Sequence, residues 1–139
     1  MNIGEKKKMP NDNIKLQELN PHDYPTTPEI DQNLNILHEK INEIRDLYGI
    51  PMIVTSGLRS VEQQQNLILD GKSNAPHSKH LTGQAVDIQD KDKALKNWVI
   101  ANMDKMKEIG FWFEDFDHTI GWVHFQTVSP KSGKRIFIP

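Results

Sequence analysis

The chain has 139 residues, of which 36% are hydrophobic and 26% are charged, with a formal net charge of −2 and no cysteine. This length and composition predict one soluble globular domain with a single core. The charge balance gives no electrostatic footprint for nucleic acid, and no segment reaches the roughly 18 to 20 apolar residues of a membrane span. The lack of cysteine excludes disulfides and thiolate metal sites.

The N-terminal segment has hardly any apolar side chains. We therefore expect residues 1–13 to form a flexible leader and residues 14–139 to form one domain. Lys6–Lys8 is the only basic run, and the apolar stretch of a secretory signal does not follow it. We expect the protein to be synthesised in the cytoplasm without a signal peptide.

Three helices are predicted from capping residues at their starts and from glycines near their ends. Thr27 followed by Pro28 begins the first helix, in which apolar residues recur every three or four positions. Ser60 and Gln63 form a capping box for the second. The third begins at Asp90 or Asp92, and the helices end near Gly49, Gly71 and Gly110.

Short runs of β-branched and aromatic residues predict the strands. In one of them, alternation places Ala85 and Asp87 on one face and Val86 and Ile88 in the core. Helices followed by a small antiparallel sheet, with the helices packed on one face, predict an α+β domain. The predicted strands cover residues 52–55, 84–88, 111–114, 120–126 and 135–138.

The stretch SKHLTGQAVD contains His80 and Asp87, and His124 lies in WVHF near the C-terminus. Two histidines and one carboxylate are the protein ligands of a catalytic zinc site, which keeps a fourth position open. Gly83 between the first two ligands favours a loop that turns into a strand over one helix face. His77 is a rival ligand. Zinc is favoured because hydrolysis needs a redox-inert Lewis acid, although this ligand set would also accept cobalt or nickel.

Three segments resemble the M15 family of zinc D-Ala-D-Ala carboxypeptidases and peptidoglycan endopeptidases. SKHLTGQAVDI has every fixed position of the family pattern S-x-H-x-x-G-x-A-x-D, and GWVHFQ has its W-x-H. TSGLRS resembles the SGxRS segment, whose arginine, Arg59 here, lies beside the metal. The resemblance implies a zinc site in a cleft on the sheet, held by His80, Asp87 and His124.

The resemblance also implies the remaining roles. In phage-type members the general acid and base is a glutamate that ends an earlier strand, a position that Glu114 resembles, with Asp117 as the alternative. Arg59 would stabilise an oxyanion or clamp a substrate carboxylate, unless it forms a structural salt bridge. Ser78 is expected to orient the ligand loop and, with Trp122, to line the substrate site.

The sequence therefore predicts a zinc metallopeptidase that hydrolyses peptidoglycan stem peptides, as a D-Ala-D-Ala carboxypeptidase or an L-Ala-D-Glu endopeptidase. The alternative is a catalytically inactive, zinc-stabilised binding module, because the hedgehog signalling domain has the same fold and a similar zinc loop. We expect a monomer whose partner is a cell wall peptide, with no nucleic acid and no membrane. It would reach the wall after endolysin-type release by a phage or as part of a virion.

Overall fold

The computed structural model describes residues 13–73 and 77–139, and the expected leader therefore lies outside the described residues except for Asn13. Within these ranges a five-stranded sheet is combined with four α-helices. Short 3₁₀ helices at Leu16–Leu19 and Lys79–Thr82 precede the first helix and the second strand. In chain order the elements are α1 (Pro28–Tyr48), β1 (Val54–Ser56), α2 (Val61–Leu69), β2 (Ala85–Gln89), α3 (Ala94–Ala101), α4 (Met103–Ile109), β3 (Trp112–Glu114), β4 (Trp122–Gln126) and β5 (Ile136–Phe137).

The first two helices begin where their capping residues predict. The hydroxyl of Thr27 accepts a hydrogen bond from the amide of Ile30 at 3.2 Å, and Gly49 ends α1 in the left-handed conformation with φ of 79°. The hydroxyl of Ser60 accepts a hydrogen bond from the amide of Gln63 at 3.0 Å at the start of α2. Both predicted helix starts are confirmed, but the Gln63 half of the capping box is not formed, because its side-chain oxygen accepts from the Tyr24 hydroxyl at 3.0 Å.

The third predicted helix is two helices, α3 and α4, which are separated at Asn102. The side-chain amide of Asn102 donates to the carbonyl of Trp98 at 2.8 Å, and such side-chain bonds to the preceding turn compete with helix continuation. Asp90 is buried and caps α3 from a distance, because its carboxylate accepts from the amides of Leu95 and Lys96 at 2.9 Å each. The prediction of one continuous helix was wrong.

The sheet has the strand order β1-β2-β4-β3-β5. All neighbours are antiparallel except β3 and β5, which are parallel, so the sheet is mixed. The parallel direction of β5 follows from the register of β3 and β4, because Trp112 at the start of β3 pairs with Gln126 at the end of β4. The chain leaves β4 beside the start of β3, and a short connection then runs β5 in the same direction as β3. The α+β class is confirmed.

The core lies on one face of the sheet. Val86 and Ile88 of β2 pack there with Val123 and Phe125 of β4 and with apolar side chains of α1, α3 and α4. Among its described residues α2 buries only Gln64 and adds no apolar side chain to this cluster. None of the helices in the described ranges is long and apolar enough to cross a bilayer. The opposite face of the sheet is left for polar side chains.

Gly57 lies just after β1, and its backbone packs directly against the backbone of Leu19. A Cβ atom at this position would press on the Leu19 carbonyl oxygen, which already accepts a hydrogen bond from the amide of Leu58 at 2.7 Å. We expect Gly57→Ala to lower the free energy of unfolding by about 3 kcal/mol, because the obstructing atoms are backbone. Denaturant titration measures this change.

The matched control is Gly49→Ala, at a position with a positive φ where the added methyl group would meet no atom within 4 Å. Its cost is conformational and should be about 1 kcal/mol. Equal losses of stability in the two variants would show that the contact with Leu19 is not close.

Candidate active-site cleft

The polar face of the sheet brings His80, Asp87 and His124 together. Asp87 of β2 pairs directly with His124 of β4, and His80 comes from the 3₁₀ helix Lys79–Thr82 that precedes β2. All three residues are buried. One ligand atom from each lies within 4.8 Å of the other two. The structure therefore places the three predicted metal ligands in one cluster.

A hydrogen bond to the backbone fixes the orientation of the His80 ring. Its Nδ1 lies 2.9 Å from the carbonyl oxygen of Gly57, which can only accept, so Nδ1 carries the proton in the neutral ring. Nε2 is then a lone-pair donor, and it faces Asp87 Oδ1 at 3.2 Å. Ser78 adds a second restraint, since its hydroxyl accepts from the His80 amide at 3.2 Å, which is the loop-orienting contact expected for it.

Gln126 fixes the His124 ring in a similar way. Its side-chain nitrogen donates to the carbonyl of Val128 at 2.9 Å, which turns its Oε1 toward His124 Nε2, also at 2.9 Å. The proton is thereby held on Nε2, and Nδ1 faces Asp87 Oδ1 at 3.0 Å. Sequence reasoning did not identify this role, although alternation in β4 already put Gln126 on the face of His124.

The cluster fits a metal ion because its lone pairs converge. Two ring nitrogens and a carboxylate oxygen point at one another, an arrangement that only a cation or shared protons can stabilise. Metal-binding histidines characteristically donate their second N–H to a carbonyl or carboxylate, as His80 and His124 do here to oxygen acceptors. The donor set of two imidazoles and one carboxylate is that of a catalytic metal site.

The pKa values indicate the same preference for positive charge. Burial alone would raise the pKa of Asp87, but the neighbouring His80 and His124 rings hold it well below its usual range. Burial would lower the pKa of His124, yet it is raised by the hydrogen bond with Asp87 and by the charge of Glu114. The pocket thus stabilises a cation at the point where its three groups meet.

Arg59 lies beside the cluster and holds the second oxygen of Asp87. Its Nη2 is 3.4 Å from Asp87 Oδ2, its Nε donates to Ser56 Oγ at 3.0 Å, and its Nη1 donates to Gln64 Oε1 at 3.0 Å. These contacts use three of the five N–H groups of the guanidinium. The salt bridge considered for Arg59 is therefore present, and it leaves Asp87 Oδ1 facing the two histidines.

A cleft of about 300 Å³ lies over the cluster of His80, Asp87 and His124. Glu114 forms part of its wall, with its Oε2 3.6 Å from His124 Nδ1. Asp117, the alternative acid, is exposed and is not among the described residues that line the cleft. The lining residues outside the cluster include Arg59, Lys72, Ser78, Glu114, His118 and Trp122.

Two further histidines lie near the cluster without belonging to it. His77, the rival ligand, is exposed and lies outside the metal cluster formed by the described residues. His118 lines the cleft, and its Nδ1 is 2.8 Å from a carboxylate oxygen of Asp115. Neither ring shares the buried position of His80 and His124.

Comparison with known proteins agrees with this geometry. The sequence model of the Peptidase M15 family matches residues 12–126, which include the three clustered side chains and Glu114. Among solved structures the chain is similar to the L-Ala D-Glu endopeptidase ChiX of Serratia marcescens, with 22% identity and a TM-score of 0.54. That alignment covers 84% of this chain and 99% of the other, and it shows a common fold. No curated protein sequence matches the chain. Because the family match spans the metal cluster and the strands that carry it, the chain belongs to the Peptidase M15 family.

Proposed function

We propose that this protein is a zinc-dependent peptidase that hydrolyses the peptidoglycan stem peptide. The observation that carries the proposal is the buried cluster of His80, Asp87 and His124, with the Glu114 carboxylate 3.6 Å from His124 at the edge of an open cleft. A cation site beside a partly exposed carboxylate is the pair of groups that peptide hydrolysis requires.

Zinc is the metal that we assign, because the donor atoms accept it and hydrolysis needs a redox-inert Lewis acid. His80 Nε2, His124 Nδ1 and the Asp87 carboxylate would hold it, while the outer partners Gly57, Gln126 and Arg59 keep those atoms in place. When bound, zinc supplies a Lewis acid that polarises the scissile carbonyl and makes water more acidic. The three ligand atoms already lie within 4.8 Å of one another.

Glu114 is the residue that moves the proton. Its carboxylate would accept a proton from the attacking water and deliver it to the leaving amine nitrogen. Its side chain is 21% exposed, so it is reachable from the cleft, and its Oε2 lies 3.6 Å from His124 Nδ1. Arg59 lines the same cleft, and its guanidinium is fixed by Ser56 and Gln64, so its remaining N–H groups would stabilise negative charge on the scissile oxygen without reorganisation.

The size and polarity of the cleft favour a stem peptide over a general protein substrate. A cleft of about 300 Å³ is at the lower end for small-ligand sites and accommodates few residues with small side chains. A second hollow adjoins the cleft at Glu114, which would allow a substrate to extend on both sides of the bond. This favours an endopeptidase, such as one acting on L-Ala-D-Glu, over a carboxypeptidase, and the fold shared with ChiX is consistent with it.

The metal assignment is tested with His80→Ala, which removes one of the three ligand atoms. We expect the wild-type protein to hold one zinc ion per chain and the variant to lose it, because a site with two protein ligands binds zinc much more weakly. Metal analysis after dialysis measures the stoichiometry, and His77→Ala, at an exposed position three residues away, is the matched control that keeps it. Full zinc content in His80→Ala would contradict the ligand set.

The proton-transfer assignment is tested with Glu114→Gln, which preserves the size of the side chain and removes its basicity. We expect metal content to stay unchanged and turnover to fall by about 10²- to 10⁴-fold. Asp117→Asn makes the same change at an exposed position outside the cleft, and it should leave turnover unaltered. A steep loss in Asp117→Asn with a mild loss in Glu114→Gln would exchange the two roles.

The substrate class is tested by incubating the metal-loaded protein with purified peptidoglycan and, separately, with casein. We expect wall fragments with new N-terminal D-Glu, identified by mass spectrometry, because the cleft and the second hollow adjoin at Glu114. Release of free D-Ala would instead identify a carboxypeptidase. Rapid digestion of casein beside intact wall would refute the substrate class, and no turnover of either by the zinc-bound protein would favour the inactive binding module.

A further inference from the structure

A second hollow, of about 290 Å³, adjoins the cleft over the metal cluster. Ser78, Glu114 and Pro139 line both spaces, so the two hollows adjoin with Glu114 at their boundary. A peptide whose scissile bond lies beside Glu114 would therefore place the residues on one side of that bond in the second hollow. Neither the cluster of His80, Asp87 and His124 nor Arg59 lines this second hollow, so other side chains determine what it binds.

The side chains that line the second hollow include more cations than anions. Lys79 and Lys131 line it, and Glu114 is the single acidic side chain among the described residues that do so. Neither lysine forms an ion pair within the part of the chain that the structure describes. The Glu114 carboxylate is directed toward His124, from which it lies 3.6 Å away, so it belongs to the catalytic side of the boundary. The hollow thus offers two ammonium groups to a ligand.

The rest of the lining is largely apolar. Phe137 is buried beneath the hollow, Pro130 is half-buried, and Ile138 is an exposed apolar side chain at its wall. Gln126 also lines it, but both ends of its amide are used, by His124 and by the Val128 carbonyl. An apolar lining with cations beside it fits a short aliphatic chain that carries a carboxylate.

We propose that this hollow is a substrate subsite in which Lys79 and Lys131 bind the free carboxylate of an acidic stem-peptide residue next to the scissile bond. The inference rests on the proposed function, and in an L-Ala-D-Glu bond the acidic residue is D-Glu. A glutamyl residue inside a chain uses one carboxyl group for its next peptide bond and keeps the other free. That free carboxylate is the group that distinguishes this stem residue from the small apolar residues around it.

The test compares two synthetic stem peptides that are identical except at D-Glu, where the free group is a carboxylate in one and a carboxamide in the other. The quantity measured is the ratio of kcat/KM for the acid to kcat/KM for the amide. Partly exposed ion pairs are individually weak, so we expect the wild-type ratio to be about threefold to tenfold. The ratio should fall as salt is raised, because the lysines are solvent-accessible.

Charge reversal at Lys131 separates recognition from folding. Lys131→Glu should bring the ratio below one, while Lys131→Arg should retain the preference for the acid. Lys134→Glu is the matched control, because Lys134 is exposed in the same connection and is not among the residues that line either hollow. It makes the same change in net charge and should leave the ratio unaltered. Lys79→Gln should lower the ratio independently.

Failure of the subsite is distinguishable from failure of the proposed function. Wild-type protein that cleaves both peptides equally, or a ratio that is unchanged in Lys131→Glu and in Lys79→Gln, overturns the subsite and leaves the hydrolase intact. An equal loss of activity toward both peptides in Lys131→Glu also overturns it, since recognition of a carboxylate must be selective. Protein that cleaves neither the peptides nor purified wall removes the proposed function, and the subsite with it.

Discussion

The antiparallel pairing of β2 with β4 is the constraint on which the rest of this site depends. It sets Asp87 directly opposite His124 and, on the other face, Val86 opposite Phe125. A slip of one residue would turn the polar pair into the core and the apolar pair toward the cleft. The hydrophobic core and the cluster of His80, Asp87 and His124 therefore depend on the same register, and a slip would disrupt both.

Burying three polar side chains together costs free energy, and hydrogen-bond and ion-pair partners around the cluster offset that cost. An unsatisfied buried polar group costs about 1–3 kcal/mol, and more if it is charged. Gly57 and Gln126 accept from the far nitrogens of the two histidines, and Arg59 pairs with the outer oxygen of Asp87. Gly57 and Arg59 follow β1, and Gln126 ends β4. These two segments therefore orient the three side chains of the cluster.

Local sequence signals predicted much of this arrangement. Thr27 and Ser60 cap helices as expected, and alternation in residues 84–88 correctly separated Asp87 from the core. The motif indicated the three clustered residues because they are close in the chain or lie in a short, distinctive context. In β3, alternation also places Glu114 on the opposite face from the buried Phe113.

What the sequence did not reveal depends on contacts between distant segments. The break at Asn102 comes from a side-chain hydrogen bond that competes with a pattern of good helix formers. The parallel direction of β5 follows from where β4 ends, which no pattern within residues 135–138 encodes. The roles of Gln64 and Gln126 are set by which guanidinium or imidazole they meet after folding, and an isolated glutamine gives no local sign of either.

The strand order gives the two halves of the site different mechanical support. β2 and β4 are inner strands with a neighbour on each side, whereas the outer side of β3 is covered by only the two residues of β5 within the described sheet. Glu114 pairs there with Phe137, the last residue of that short strand. Hydrogen exchange in such a sheet is slow at the centre and faster at a sparsely bonded margin. We therefore expect the backbone of Asp87 and His124 to exchange only when the whole domain unfolds. The backbone of Glu114 can unfold locally together with β5 while His80, Asp87 and His124 stay in place.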